Sequence, residues 1–204
     1  MSKSVPFIQC SNLTYTIGFK KIIKNTGFEI FQNEIVGLAG DNGSGKSTLL
    51  KLLLKKNRSI VWNIPENKKF PVSFLGHEPG LYSSLTLQEN LQYFAGISGG
   101  KFHFARMEDL LHRFRLKNRM LDPVSEFSRG MLQKAAIIRT LCMSSWLYLL
   151  DEPYTGLDES SCLVLNEIIQ DLKKEASVIL VVHDTELSKR ISDRIIYLKD
   201  GQII

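Results

Sequence analysis

The chain has 204 residues and a mass of 23.2 kDa, enough for one domain with a good-sized core. Hydrophobic residues make up 44% and charged residues 23%, which excludes a disordered, collagen-like or fibrous chain. Lysine and arginine outnumber aspartate and glutamate by 26 to 21, a net +5 that suits an anionic ligand, a membrane-adjacent face or a plain solvated surface and is a weak footprint for nucleic acid.

The longest stretch without a charge, Ser4 to Phe19, is broken by Pro6, Gln9, Asn12 and Thr14. A membrane-spanning helix needs about 20 mostly apolar residues, so the chain is expected to cross no membrane itself. No basic head followed by an apolar signal core is present at the start. Cys10, Cys142 and Cys162 are odd in number and far apart, which argues against a disulfide framework or a zinc cluster and fits a reducing cytosolic compartment.

In chain order, the first forty residues predict strands at Phe7–Ile17, Gly27–Phe31 and Glu34–Gly40. A helix is expected from Lys46, carrying Leu49, Leu50, Leu52, Leu53 and Leu54, and a short strand at Val72–Gly76. The middle turns helical: Leu87, Leu91, Phe94 and Ala95 share one helical face, and a second helix covers Arg106–Phe114. Ser128 then predicts an N-cap, with Met131, Ala135, Ile138 and Cys142 on the apolar face behind it. A buried strand at Trp146–Leu150, an amphipathic helix from Asp158 to Lys174 and a second buried strand at Ser177–Val182 follow. Continuous apolar strands alternating with helices predict an α/β core, a parallel sheet covered on both faces, with a helical insertion between about Glu78 and Ser145.

The strongest chemical signal is Gly40-Asp41-Asn42-Gly43-Ser44-Gly45-Lys46-Ser47-Thr48, which matches the phosphate-binding loop pattern. Its glycines let the backbone wrap so that successive N–H groups and a helix N-terminus face a phosphate. Lys46 can reach the β- and γ-phosphates of ATP, and the Ser47 hydroxyl can ligate Mg²⁺. The loop follows an apolar strand and opens an apolar helix, the context the pattern requires. The second signal is the apolar strand Leu147–Leu150 ending in Asp151 and Glu152. Such a strand delivers Asp151 to the carboxyl edge of the sheet, where it can hold the Mg²⁺ shell, while Glu152 can polarise a water for attack on the γ-phosphate.

With these motifs the chain resembles, over essentially its whole length, the nucleotide-binding domain of ABC (ATP-binding cassette) ATPases. The resemblance implies a P-loop NTPase of the ABC ATPase fold: a RecA-like parallel-sheet core over about residues 1–77 and 146–204, an N-terminal antiparallel β region, and a helical subdomain over about 78–145. The family's signature, usually Leu-Ser-Gly-Gly-Gln, falls on Phe127-Ser128-Arg129-Gly130-Met131, so only Ser128 and Gly130 are retained. In the family this segment contacts the γ-phosphate held by the opposite protomer. A capped helix serving only packing is the alternative for Ser128. His183 aligns with the switch histidine, against a plain structural histidine at a strand end. Tyr154–Asp158 occupies the D-loop, which crosses the dimer interface, with Asp158 its last residue.

Two positions depart from the family. The glutamine that would reach the Mg²⁺ through a water is His77 here, and the adenine-stacking aromatic is Ile17. Tyr15 and Phe19, two residues to either side and on one strand face by alternation, can substitute or can be ordinary strand aromatics.

Without a membrane segment and with one nucleotide-binding unit, the chain is similar to the separate ATPase subunit of an exporter. His77 within Leu75–Gly80, together with Asp122–Met131 and Asp151–Asp158, resembles the haem exporter ATPase of cytochrome c maturation. Drug, polysaccharide, lipid and lipoprotein exporters share much of the pattern. Implied partners are integral membrane subunits and a second copy of the chain when ATP is bound, on the cytoplasmic side of the membrane as a peripheral subunit. No nucleic acid and no direct contact with the cargo are expected. Soluble ABC ATPases of nucleic acid or the ribosome are the competing class. They carry two linked units or long coiled coils, and neither is present here.

Overall fold

The computed structural model describes residues 5–55, 57–63, 71–99 and 101–204. The chain opens with a long hairpin, β1 (Ile8–Ile17) and β2 (Lys20–Ile30), antiparallel from Ile8↔Ile30 to Ile17↔Lys20. β2 begins earlier than the apolar run at Gly27–Phe31 predicts, because its lysine-flanked first half pairs with β1 and buries only Ile23. β3 (Ile35–Ala39) and α1 (Lys46–Leu54) follow, and β4 (Ile60–Trp62) pairs back onto β1 to make a three-stranded sheet.

The rest of the chain supplies β5 (Val72–Leu75), α2 (Leu87–Ile97), α3 (Phe104–Arg113), α4 (Arg129–Leu141), β6 (Leu147–Asp151), α5 (Glu159–Leu172), β7 (Ser177–Val181), α6 (Thr185–Ile191), β8 (Arg194–Lys199) and β9 (Gln202–Ile203). The second sheet runs β5-β6-β7-β3-β8-β9, parallel throughout except the terminal β8–β9 pair. Every residue of β3, β6 and β7 is buried, which is why these strands read as unbroken apolar runs.

Alternation along those strands separates two cores. Leu147, Leu149, Ile179, Val36 and Leu38 face α1 and the three-stranded sheet, while Tyr148, Leu150, Val178 and Leu180 face the helical side, with Ala135 and Ile138 of α4 and Leu165 and Ile169 of α5. Each buried aliphatic side chain contributes roughly 1.5–3 kcal/mol, so the sheet is a rigid platform. Its register sets Asp151 opposite Val181, and Leu38 opposite Val181 on the other side. The loops after β3, β6 and β7 therefore emerge together at one carboxyl edge, the place where open parallel sheets bind ligands. Between β5 and β6 the chain is helical. α2 starts at a capping box in which the Glu89 N–H donates to Thr86 Oγ1 at 3.2 Å and the Thr86 N–H donates to Glu89 Oε2 at 2.8 Å. Among the described residues no helix is long and apolar enough to cross a membrane.

Candidate functional site: a phosphate cleft at the sheet edge

Gly40 ends β3 with φ 144°, and a Cβ there would lie 2.0 Å from the Leu198 carbonyl oxygen, so only glycine lets the loop pass β8. Gly45, at φ 109°, is the N-cap of α1 and offers no side-chain cap. The first-turn N–H groups of α1 thus stay open to an anion, with the helix dipole behind them. Lys46 is 7% exposed, and its ammonium donates to Gly40 O at 2.7 Å and Asp41 O at 2.9 Å. The loop's own carbonyls hold the lysine over the place a phosphate would occupy. The cleft in front of the loop is about 480 Å³ and is lined by Asn42, Gly43, Gly45, Ser47, Thr48 and their neighbours, with His77, Glu152 and His183 on the far wall.

That far wall is made by the ends of β5, β6 and β7. Asp151 closes β6 and is 2% exposed, yet neither carboxylate oxygen has a hydrogen-bond partner among the described residues; His77 Nε2 lies 3.5 Å from Oδ2. A buried carboxylate without a donor is costly unless a cation joins it. Mg²⁺ would suit this unbonded carboxylate: it takes hard oxygen ligands and keeps several waters, so that Asp151 and the Ser47 hydroxyl could hold it and His77 could bond one of its waters.

Glu152 sits at φ 52°, a left-handed backbone that is uncommon outside glycine and asparagine, with its N–H donating to Val181 O at 3.1 Å. This turn directs its carboxylate to the cleft, where Oε1 lies 2.6 Å from His183 Nε2. His183 is placed by two neighbours: β7 ends just before it, and Asp184 caps α6 by accepting from the Glu186 and Leu187 N–H groups at 2.9 and 3.1 Å. Asp151, Glu152, His77 and His183 are thus brought together at the phosphate loop.

Ser128 and Gly130 are elsewhere. Ser128 caps α4, its Oγ accepting from the Met131 N–H at 3.3 Å, and Phe127 is buried beneath it. Neither Ser128 nor Gly130 lines the phosphate cleft. Instead the start of α4 is tied to the 153–158 loop of its own chain. A Cβ on Gly130 would meet Gly156 O at 2.8 Å, the Gln133 side-chain amide donates to Pro153 O at 2.9 Å, and Lys134 Nζ lies 2.6 Å from Asp158 Oδ2. Asp158 also caps α5 through the Ser161 N–H at 2.8 Å. The Lys134 ammonium and these donors hold its carboxyl well below the usual carboxylate range.

The hairpin corrects one expectation. Phe19 is not on a strand face shared with Tyr15; it lies with Gly18 in the turn, fully exposed, because β1 ends at Ile17 and register shifts on either side of Tyr15 break the simple alternation. Tyr15 packs against the core on the α1 side and does not line the cleft. Ile22 does line it, and Ile23, the partner of Tyr15, would be 2.9 Å from a Cβ on Gly45. Arg139 was equally invisible in the pattern. It sits on α4 under the Phe94 ring at 5.0 Å, beside His77 and Glu78 in an adjoining 530 Å³ cavity, and burial pulls its pKa down. No local signal marks Ile22 or Arg139, since each acts through partners distant in sequence.

Residues 23–155 match the family model described as "ABC transporter". The chain belongs to this family. The ABC transporter ATP-binding protein NatA of Bacillus subtilis (strain 168) is 37% identical over 198 residues, 90% of this chain and 80% of that one. The lantibiotic transport ATP-binding protein SrtF of Streptococcus pyogenes is 31% identical, over 97% of this chain and 89% of its own. Among solved structures, an ATP-binding subunit of an ABC transporter superposes with a TM-score of 0.85 at 29% identity, covering 97% of this chain and 88% of that one. A dimeric ATP-binding cassette, MJ0796, in a post-hydrolysis state with ADP and Pi, gives 0.81 at 25%, covering 96% of each. The chain is therefore an ATP-binding and ATP-hydrolysing subunit of the ABC transporter family.

Proposed function

We propose that this ABC ATPase powers export through separate integral membrane subunits, bound peripherally on the cytoplasmic side, and that its cargo is haem for cytochrome c maturation. The observation that carries the motor reading is the 2.6 Å contact between Glu152 and His183 on the wall facing the phosphate loop. The haem reading is narrower and rests on His77 within Leu75–Gly80, Asp122–Met131 and Asp151–Asp158. The similarity to SrtF favours a second reading, a lantibiotic-type peptide cargo. In either case the membrane partner, not this subunit, recognises the cargo.

In this mechanism the triphosphate enters the loop of residues 40–48, and Lys46 exchanges the carbonyls of Gly40 and Asp41 for oxygens of the β- and γ-phosphates. The adenine end lies along the β1–β2 hairpin, near Tyr15. Ser47 and Asp151 would hold Mg²⁺, with His77 beside one of its waters, and the ion would supply charge neutralisation at the phosphates. Glu152 takes a proton from a water as that water's oxygen bonds to the γ-phosphorus. The bond to the bridging oxygen then breaks and ADP leaves. His183 holds the Glu152 carboxylate and reaches the γ-phosphate. Two protomers close head to tail, so that Ser128 and Gly130 of each cover the γ-phosphate of the other and the loop ending at Asp158 crosses between them. Closure draws the helical segments, about 78–145, together and moves the membrane subunits.

Glu152→Gln should retain ATP binding and lose turnover by about 10²- to 10⁴-fold, with an ATP-trapped dimer seen by size-exclusion chromatography. Wild-type turnover would place the base elsewhere. Co-purification of the tagged chain separates the cargo readings: haem-handling membrane proteins support the first, and a peptide exporter replaces it with the second.

A further inference from the structure

The ligand-poor carboxylate of Asp151 has a consequence apart from ATP turnover. Both of its oxygens are buried and unbonded among the described residues, and they converge with His77 and Glu152: one ligand atom from each residue lies within 4.8 Å of the others. Tetrahedral sites with bonds of 2.0–2.2 Å place their ligand atoms about 3.4 Å apart. His77 Nε2 and Asp151 Oδ2 already stand at 3.5 Å. The set spans up to 4.8 Å, and Glu152 Oε1 lies 2.6 Å from His183 Nε2, so Glu152 joins the ion by giving up that contact or through its other oxygen.

The donor types decide which cation suits this arrangement. Carboxylates and water suit Mg²⁺, whereas an imidazole nitrogen beside two carboxylates favours Zn²⁺ and its first-row neighbours. A glutamine at position 77 would supply only a neutral oxygen. Because His77 replaces it, this chain gains a nitrogen ligand beside a buried carboxylate that lacks a partner among the described residues.

We propose that His77, Asp151 and Glu152 form, in the nucleotide-free chain, a binding site for one borderline divalent ion such as Zn²⁺ or Co²⁺. It shares Asp151 with the Mg²⁺ expected in turnover and differs from it otherwise, since that ion draws on Ser47 and the phosphates and only on a water beside His77. It holds whatever the cargo. An ion held there occupies the Glu152 carboxylate and withdraws Asp151 from Mg-ATP, so the ion and hydrolysis exclude each other.

The test uses the full chain without nucleotide, titrated with Zn²⁺ by calorimetry and with Co²⁺ by visible absorption. The expected result is one ion per chain, weakened in His77→Gln by about tenfold or more, since even outer-shell changes cost 10- to 100-fold. The Co²⁺ spectrum should change with it, and Asp151→Asn should abolish tight binding. Cys10 and Cys142 are poor competitors: both are buried, which pushes their thiols up to about 11 and about 12. Unchanged Zn²⁺ affinity and Co²⁺ spectrum in both variants, with their folds verified by circular dichroism, would overturn the proposal. So would a near-ultraviolet thiolate band from the bound Co²⁺, which would place the ion at a cysteine.

Discussion

Two helix N-termini in this molecule are finished differently. α1 opens on Gly45 with no side-chain cap, faces Lys46, and looks across a cleft at Glu152 and His183. α4 opens on Ser128, which caps it through a 3.3 Å bond, and it is fastened to residues 153–158 by Gln133, Lys134 and the close approach of Gly130. The first end has an anion site, a cation and a base within one chain. The second has a hydroxyl and a glycine backbone, with no reacting partner from its own chain in the cleft. On the proposed reading, the first terminus is the ATP site proper and the second is half a site, tied to the loop that follows Glu152. That loop is the mechanical link: it begins at the proposed base and ends at the cap of α5.

The strongest way to break the first terminus is Lys46→Ala. It removes charge-assisted bonds of about 1.5–3 kcal/mol, so ATP affinity by calorimetry should fall roughly 10- to 100-fold, with turnover falling further. Unchanged affinity would mean that α1 is not the phosphate site. His183→Ala should lower turnover by roughly 10²-fold while sparing affinity, because its bond to the γ-phosphate belongs to the closed state. Equal losses in both would instead make His183 a ground-state binding group.

The smallest expected effect sharpens the second terminus. Asp158→Ala removes the α5 cap and the tie to Lys134, which should cost about 1 kcal/mol and lower the melting temperature by about 2–4 °C at pH 7. The carboxyl of Asp158 is depressed in the folded chain, so its contribution is fully present above the ordinary carboxylate pKa of about 3.9 and is lost as pH falls through the lower folded value. The difference from wild type should therefore shrink below about pH 4. Asp158→Asn keeps a cap and loses the ion pair, so it should fall between the two in thermal melts. A difference that grew on acidification would contradict this placement of the charge.

Much of this was legible in the chain itself, and the reasons are local. β3, β6 and β7 are buried on both faces and read as apolar runs; the phosphate loop, Asp151 and Glu152 stand at the ends of such runs. Ser128 announces itself as a cap because an N-cap is a property of a few consecutive residues. What escaped was set by distant partners. β4 has three residues and exists through pairing with β1, while β9 has two and is held by β8. α6 has seven residues and β8 is only partly buried, so neither shows a firm period. The turn position of Phe19 follows from bulges in β1 that no two-residue alternation can show. The left-handed backbone of Glu152, which aims the carboxylate, likewise has no signature in the residue type.

The central claim is that the half-site at Ser128 serves the phosphate loop of a second copy. Ser128→Arg and Lys46→Ala should each inactivate the pure protein. Mixed, they form heterodimers in which one composite site combines both defects and the other pairs an intact loop with an intact signature segment. Phosphate release measured against mixing ratio, with the membrane partner present and heterodimers verified by mass, should rise from zero at either end to a maximum between. A covalently linked dimer carrying Ser128→Arg in one half reports whether a single clean site turns over. Activity in that linked dimer, together with a flat line at zero across all mixing ratios, would contradict the head-to-tail assignment.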